Sequence, residues 1–214
     1  MNQKYVVGII ALVALVAGIV GARYIASSQP SSAVKYFQYY PEPREIAAFS
    51  LTQNNGQPFT RENLQNAWTL IFVGYTYCPD VCPTTMASLS KVWEKLSAIK
   101  SNHPIKVLFL SVDPKRDDIQ RLNSYVGFFN NEFLAATGPH SVLFPLVRNL
   151  GLMYALTGDM EKPDYLVDHS ASVVLVNPDA QVIGRFKPIM EPGKLAISDA
   201  EQILADMPEI VSLH

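Results

Sequence analysis

Residues 69–83 read T-L-I-F-V-G-Y-T-Y-C-P-D-V-C-P, and the reading of the fold starts from them. The first seven are apolar or β-branched without alternation, the pattern of a central strand covered on both faces. Cys78 and Cys82 follow at once. After them, residues 84–100 carry Met86, Leu89, Val92, Trp93, Leu96 and Ile99 at helical spacing. The stretch therefore reads strand, cysteine loop, helix. Pro83 suits the first position of a helix, and its ring disfavours helical backbone at Cys82, so Cys82 is expected as a cap residue at the helix entrance. Unpaired N–H groups and the helix dipole there stabilise a thiolate, lowering a cysteine below its free value of about 8.5.

Outward from this motif, strand and helix signals alternate. Residues 105–112 (IKVLFLSV) and 172–177 (SVVLVN) repeat the buried-strand pattern, while 118–127, 142–151 and 193–207 read as helices. Asn54-Asn55-Gly56 suits a tight hairpin turn between 46–52 and 57–59, and 181–186 reads as a closing antiparallel strand. Alternating elements of these lengths imply a layered α/β sheet with crossovers. A cysteine motif directly after the first long buried strand looks like a thioredoxin-like fold with additional hairpin elements.

The 214 residues are enough for one domain once the N-terminal segment is set aside. Residues 5–22 (YVVGIIALVALVAGIVGA) are uncharged and close to the length that crosses about 30 Å of hydrocarbon. The run exceeds the usual apolar core of a signal peptide, and no clean A-x-A site follows, which argues for an uncleaved anchor. Lys4 lies on one side and Arg23 and Lys35 on the other, so charge alone leaves the orientation open. Neither of the two cysteines follows the apolar run, which excludes a lipoprotein anchor. The expected organisation is an anchor over 1–26, a linker over 27–44 and one domain over 45–214. A net charge of -2 with no Lys/Arg run excludes a nucleic-acid footprint.

Two thiolates on a loop could form a structural disulfide, but a bridge closing so small a loop removes little chain entropy, and a domain of this size needs no such staple. They could equally bind a soft metal or exchange disulfides. His169, in D-Y-L-V-D-H-S-A-S-V-V-L-V, precedes the 172–177 strand, whose start faces the cysteine loop in a thioredoxin-like sheet. Thiol oxidoreductases resembling thioredoxin carry C-x-x-C and a facing Pro; this chain has C-x-x-x-C and Asp168-His169-Ser170. Two sulfurs and one imidazole without a fourth strong ligand suit copper better than structural zinc.

These residues resemble the Sco (SenC) family of copper chaperones for cytochrome c oxidase assembly. The matching pieces are Y-T-Y-C-P-D-V-C-P at 75–83, S-V-D-P-K-R-D at 111–117 and D-Y-L-V-D-H-S-A at 164–171. The resemblance implies a site for Cu(I) or Cu(II) on Cys78, Cys82 and His169, and delivery to the dinuclear copper centre of an oxidase subunit. It further implies a place in the inner membrane, rather than the mitochondrial inner membrane, with the domain on the periplasmic side, where other periplasmic copper carriers or thiol reductases would be partners. Asp113 is implied to lie near the site, although Asp113 or Asp117 could equally cap the next helix, and Asp168 could orient His169. Met86 and Met153 lie on apolar patterns and are expected in the core. His103, His140 and His214 receive no role. Beside a chaperone without turnover stands a second reading, a membrane-anchored thiol:disulfide oxidoreductase acting through Cys78 and Cys82, on the oxidase's copper-site cysteines or in redox and copper signalling. Peroxidase chemistry is weaker, because the Thr three residues before a catalytic Cys is absent.

Overall fold

The computed structural model describes residues 12–18, 34–159, 161–162 and 164–213. The chain divides into two units, Met1–Ala33 and Val34–His214. Residues 12–18 are helical; the rest of the 5–22 run expected as an anchor lies outside the described residues, and among those described no helix is long and apolar enough to cross a membrane.

The second unit contains strands β1 (Phe37–Glu45), β2 (Ser50–Gln53), β3 (Pro58–Thr60), β4 (Trp68–Gly74), β5 (Ile105–Ser111), β6 (Leu134–Thr137), β7 (Tyr154–Thr157), β8 (Leu166–His169), β9 (Val173–Val176) and β10 (Gln181–Phe186). Its helices are α1 (Val81–Ser97), α2 (Ile119–Phe129), α3 (His140–Asn149) and α4 (Ala200–Ser212). The main sheet runs β1-β10-β9-β4-β5-β6-β2-β3, with β4, β5 and β6 parallel and β9 antiparallel to β4. Every residue of β4 is buried, so both faces of the central sheet are covered, as its unbroken apolar run requires. α1 packs on α4 and α2. β7 and β8 pair only with each other among the described residues, forming a ribbon apart from the main sheet.

The expected hairpin turn is present, with Gly56 at φ 82° between β2 and β3, a conformation open to glycine at little cost. Two expectations need correction. The stretch read as a linker over 27–44 joins the domain early, because Phe37–Glu45 pairs with β10 as an edge strand and Val34 and Phe37 are buried. Its entry is clamped by the buried Asp206 of α4, whose carboxylate accepts the backbone N–H groups of Lys35 (3.0 Å), Tyr36 (2.6 Å) and Phe37 (2.7 Å). The last helix starts at Ala200, where Asp199 caps it by accepting the Glu201 N–H, and runs through Pro208 to Ser212. His169 precedes β9 as expected, and it ends a strand of its own, β8.

Candidate metal centre

β4 delivers the chain to the site at Gly74. A Cβ at that position would lie 2.6 Å from Cys82 Sγ and 2.8 Å from Phe109, so only glycine lets the cysteine sulfur approach the strand. The loop after β4 is held by Asp117, which is buried and accepts from Thr76 N–H (2.9 Å), Thr76 Oγ1 (2.6 Å) and Ser111 Oγ (2.6 Å). These three donors fix the loop to the end of β5, although burial raises the Asp117 pKa. α1 begins at Val81 with Asp80 as its N-cap, two residues earlier than Pro83 suggests, so Cys82 stands within the first turn rather than at the cap.

The two thiols are free and unequal: Cys78 is half-buried, whereas Cys82 is fully buried. Cys78 Sγ accepts the Cys82 backbone N–H at 3.4 Å, a donor that an intact helix turn would have left unpaired. Sharing a hydrogen bond with the Cys82 thiol, aided by His169 and by the amides of Cys82 and Asp80, lowers the Cys78 pKa to about 4. Burial, reinforced by the Cys78 charge, pushes Cys82 well up. The two shifts run in opposite directions, so the pair's negative charge is favoured on Cys78 and its proton on Cys82.

His169 completes the group. Its Nε2 lies 3.3 Å from Cys82 Sγ, and donor atoms of Cys78, Cys82 and His169 all lie within 4.8 Å of one another. Its Nδ1 lies 3.2 Å from the Ser170 carbonyl. The Nδ1-protonated tautomer, donating to that carbonyl, is the one that would turn Nε2 to a metal held by the sulfurs. Phe72 and Tyr75 set their rings edge-on to the imidazole, with centroids at 5.8 and 6.0 Å. An open cleft of about 220 Å³ leads from solvent to Cys78 and His169 between Pro79, Val81 and Leu166. A metal bonded to three donors at roughly 2.0–2.3 Å in a trigonal plane needs those donors about 3.5–4 Å apart, so the present spacing, within 4.8 Å, asks for changes in separation of at most about 1 Å.

The acidic residues sit differently from expectation. Asp113 is buried and accepts from Arg116 Nε at 2.5 Å and from Tyr165 OH. The Arg116 guanidinium also lies 3.5 Å from the Tyr165 ring centroid and 4.9 Å from that of Tyr77. Asp113 thus ties the end of β5 to the residue before β8 and to the aromatic flank of the cysteine loop. Neither it nor Asp117 caps α2; Asp118 does, accepting the Arg121 N–H at 2.7 Å. Asp168 does not orient His169. Adjacent strand residues project to opposite faces, and the exposed Asp168 accepts from Thr157 Oγ1 at 2.9 Å. Met86 is in the core as expected, but Met153 is 73% exposed. Sequence reasoning overlooked Gly74, Phe72 and Tyr75 as the walls of the site. The apolar run of β4 ending in Gly-Tyr was the available signal.

Comparison with known proteins agrees with this geometry. The SCO1/SenC family matches residues 38–205. A mouse mitochondrial SCO2 homolog is 36% identical over 131 residues, 61% of this chain and 51% of that protein, so the chain spans about half the length of this curated relative. Among solved structures, Arabidopsis thaliana ScoI with copper bound superposes with a TM-score of 0.66 at 27% identity, covering 78% of this chain and 98% of that one. Yeast Sco1 with copper bound gives 0.66 at 27% identity over 80% of this chain and 91% of its own. The mixed α/β architecture is the thioredoxin-like fold of these proteins, and the chain belongs to the SCO1/SenC family.

Proposed function

We propose that this protein is a membrane-anchored copper chaperone that carries one copper ion on Cys78, Cys82 and His169 and delivers it to the dinuclear copper centre of cytochrome c oxidase. The observation that carries the reading is the convergence of two sulfurs and one imidazole nitrogen within 4.8 Å of one another, reached from solvent by a cleft. Two soft sulfurs favour Cu(I), and the imidazole lets the same site hold Cu(II). Both sulfurs bind the ion as thiolates, so loading displaces the proton that the pair favours holding on the buried Cys82. Copper is cargo here, and release runs by ligand exchange. An incoming thiolate displaces His169, the weaker ligand for Cu(I), and shares the ion with Cys78 on the cleft side, while the buried Cys82 lets go last. The apolar 5–22 run serves as the anchor, with the domain on the periplasmic side of the inner membrane.

An anaerobic Cu(I) titration against a chromophoric chelator tests the reading. The wild type binds one equivalent; Cys78→Ser abolishes tight binding, and His169→Ala weakens it at least tenfold. If His169→Ala keeps wild-type stoichiometry and affinity, the site as drawn is wrong. A second reading, a thiol:disulfide reductase for the oxidase's copper-site cysteines, is favoured by one observation, the low Cys78 pKa beside a high Cys82 pKa. That is the division between an attacking thiolate and a resolving thiol. Disulfide reduction surviving in a His169→Ala variant that has lost copper would show two separable activities on one dithiol.

A further inference from the structure

His169 is carried on a two-stranded ribbon outside the main sheet, so its place over the sulfurs depends on whatever docks that ribbon. Within the ribbon His169 is directly opposite Tyr154. Opposed residues of an antiparallel pair project from the same face with their Cβ atoms about 5 Å apart. Burial agrees: Tyr154 and Val167 are buried, whereas Ala155 and Asp168 on the other face are exposed. Tyr154 and His169 therefore stand side by side on the face turned toward the body of the protein.

Tyr154 is the fastening point. Its ring stacks on Phe144 with centroids 4.4 Å apart and planes 7° from parallel, and on His140 at 5.8 Å and 29°. Its hydroxyl lies 2.8 Å from His140 Nδ1. Both partners belong to α3, which is packed into the core by Leu143 and Val147. Burial lowers the His140 pKa, against a smaller opposing pull from Asp113, which favours the neutral ring whose Nδ1 can accept the phenol proton. His169 itself meets the body of the protein through edge contacts with Phe72 and Tyr75, the Ser170 carbonyl and the Cys82 sulfur, with no ring stacked on it like that on Tyr154 among the described residues.

We propose that His140 and Tyr154 are positioning residues for the copper site: the pair docks β7 on α3 and thereby sets the height of the His169 imidazole above Cys78 and Cys82. This rests on the copper reading above. Neither residue touches the metal, and their effect passes wholly through His169.

The test is a Cu(I) competition titration on the full-length protein with His140→Ala, Tyr154→Phe, His140→Gln, His169→Ala and the His140→Ala/His169→Ala double variant. Tyr154→Phe keeps the ring stack and removes only the hydroxyl, so it guards against a variant that merely misfolds. His140→Ala and Tyr154→Phe should each weaken Cu(I) binding roughly three- to tenfold, the weight of one net hydrogen bond. His140→Gln, whose carbonyl can accept the phenol proton, should recover most of the loss. In the His169→Ala background, His140→Ala should change nothing further, and the thiolate-to-Cu(II) absorption of the His140→Ala variant should move toward that of His169→Ala. If His169→Ala weakens copper but His140→Ala and Tyr154→Phe leave affinity and spectrum unchanged, the positioning role is refuted. The same holds if His140→Ala weakens binding equally with and without His169, since that is general destabilisation. If His169→Ala itself has no effect, the copper site as drawn falls, and the positioning role with it.

Discussion

Replacing Gly74 by alanine probes fold and site together. The new Cβ would sit 2.6 Å from Cys82 Sγ and 2.8 Å from Phe109 Cε2, about 1 Å inside ordinary contact on each side. Phe109 and Cys82 are both fully buried in the close-packed interior. Relief must come from a shift of Cys82 with the first turn of α1, or from strain shared with β5. Overpacking of this kind costs about 1–3 kcal/mol. For a domain of this size that is a drop of roughly 2–10 °C in the thermal midpoint, followed by circular dichroism. A sulfur displaced by more than about 0.5 Å also spoils a site that needs preorganised donors. Cu(I) affinity should therefore fall about tenfold, or ~1.4 kcal/mol. A Gly74→Ala protein with its midpoint within about 1 °C of wild type and its copper affinity within about twofold would refute the claim that close approach at Gly74 seats Cys82.

Other outcomes follow from the same geometry. The Cys78 pKa in the folded protein, about 4, lies below its value of about 8.5 in an unfolded chain. Its stabilising contribution is complete above pH ~8.5 and is lost as pH falls through about 4; the gap in urea stability between wild type and Cys78→Ser should close across that window, and thiolate absorbance at 240 nm should disappear near its lower end. Asp206→Ala strands three amides at the entry of β1 and should cost about 2–4 kcal/mol in a denaturant titration, with earlier proteolysis around residues 34–45. Asp168→Ala, on the solvent face of β8, should leave Cu(I) affinity within about twofold of wild type, since its partner is Thr157 rather than His169.

Local pattern carried much of this protein. The unbroken apolar run of β4, the helical spacing after Thr84 and the turn chemistry at Gly56 each depend on neighbours within a few residues, and those elements stand where the pattern puts them. The error at Asp168 has a different origin: only once residues 166–169 are known to be a strand does a period of two send Asp168 away from His169. The ribbon of β7 and β8 was not visible in the same way. Four-residue strands leave too short a pattern to register, and their pairing is a tertiary event.

The acids at 113, 117 and 118 show where sequence stops. All three stand close enough to α2 to be considered as its cap, and only distant partners separate them: Tyr165 engages Asp113, Thr76 engages Asp117, and Asp118 is left for the helix. Likewise nothing near Asp206 announces that it will hold amides some 170 positions away. The sequence by itself determined the α/β class and the cysteine loop at a helix entrance, because these follow from short-range backbone and side-chain chemistry; His169 was added to the two cysteines by its expected place in a thioredoxin-like sheet and by the family resemblance. Tertiary structure alone decided which thiol is the thiolate, what aims His169 and where the domain begins. Burial, desolvation and hydrogen bonding between remote segments exist only once the chain has closed on itself.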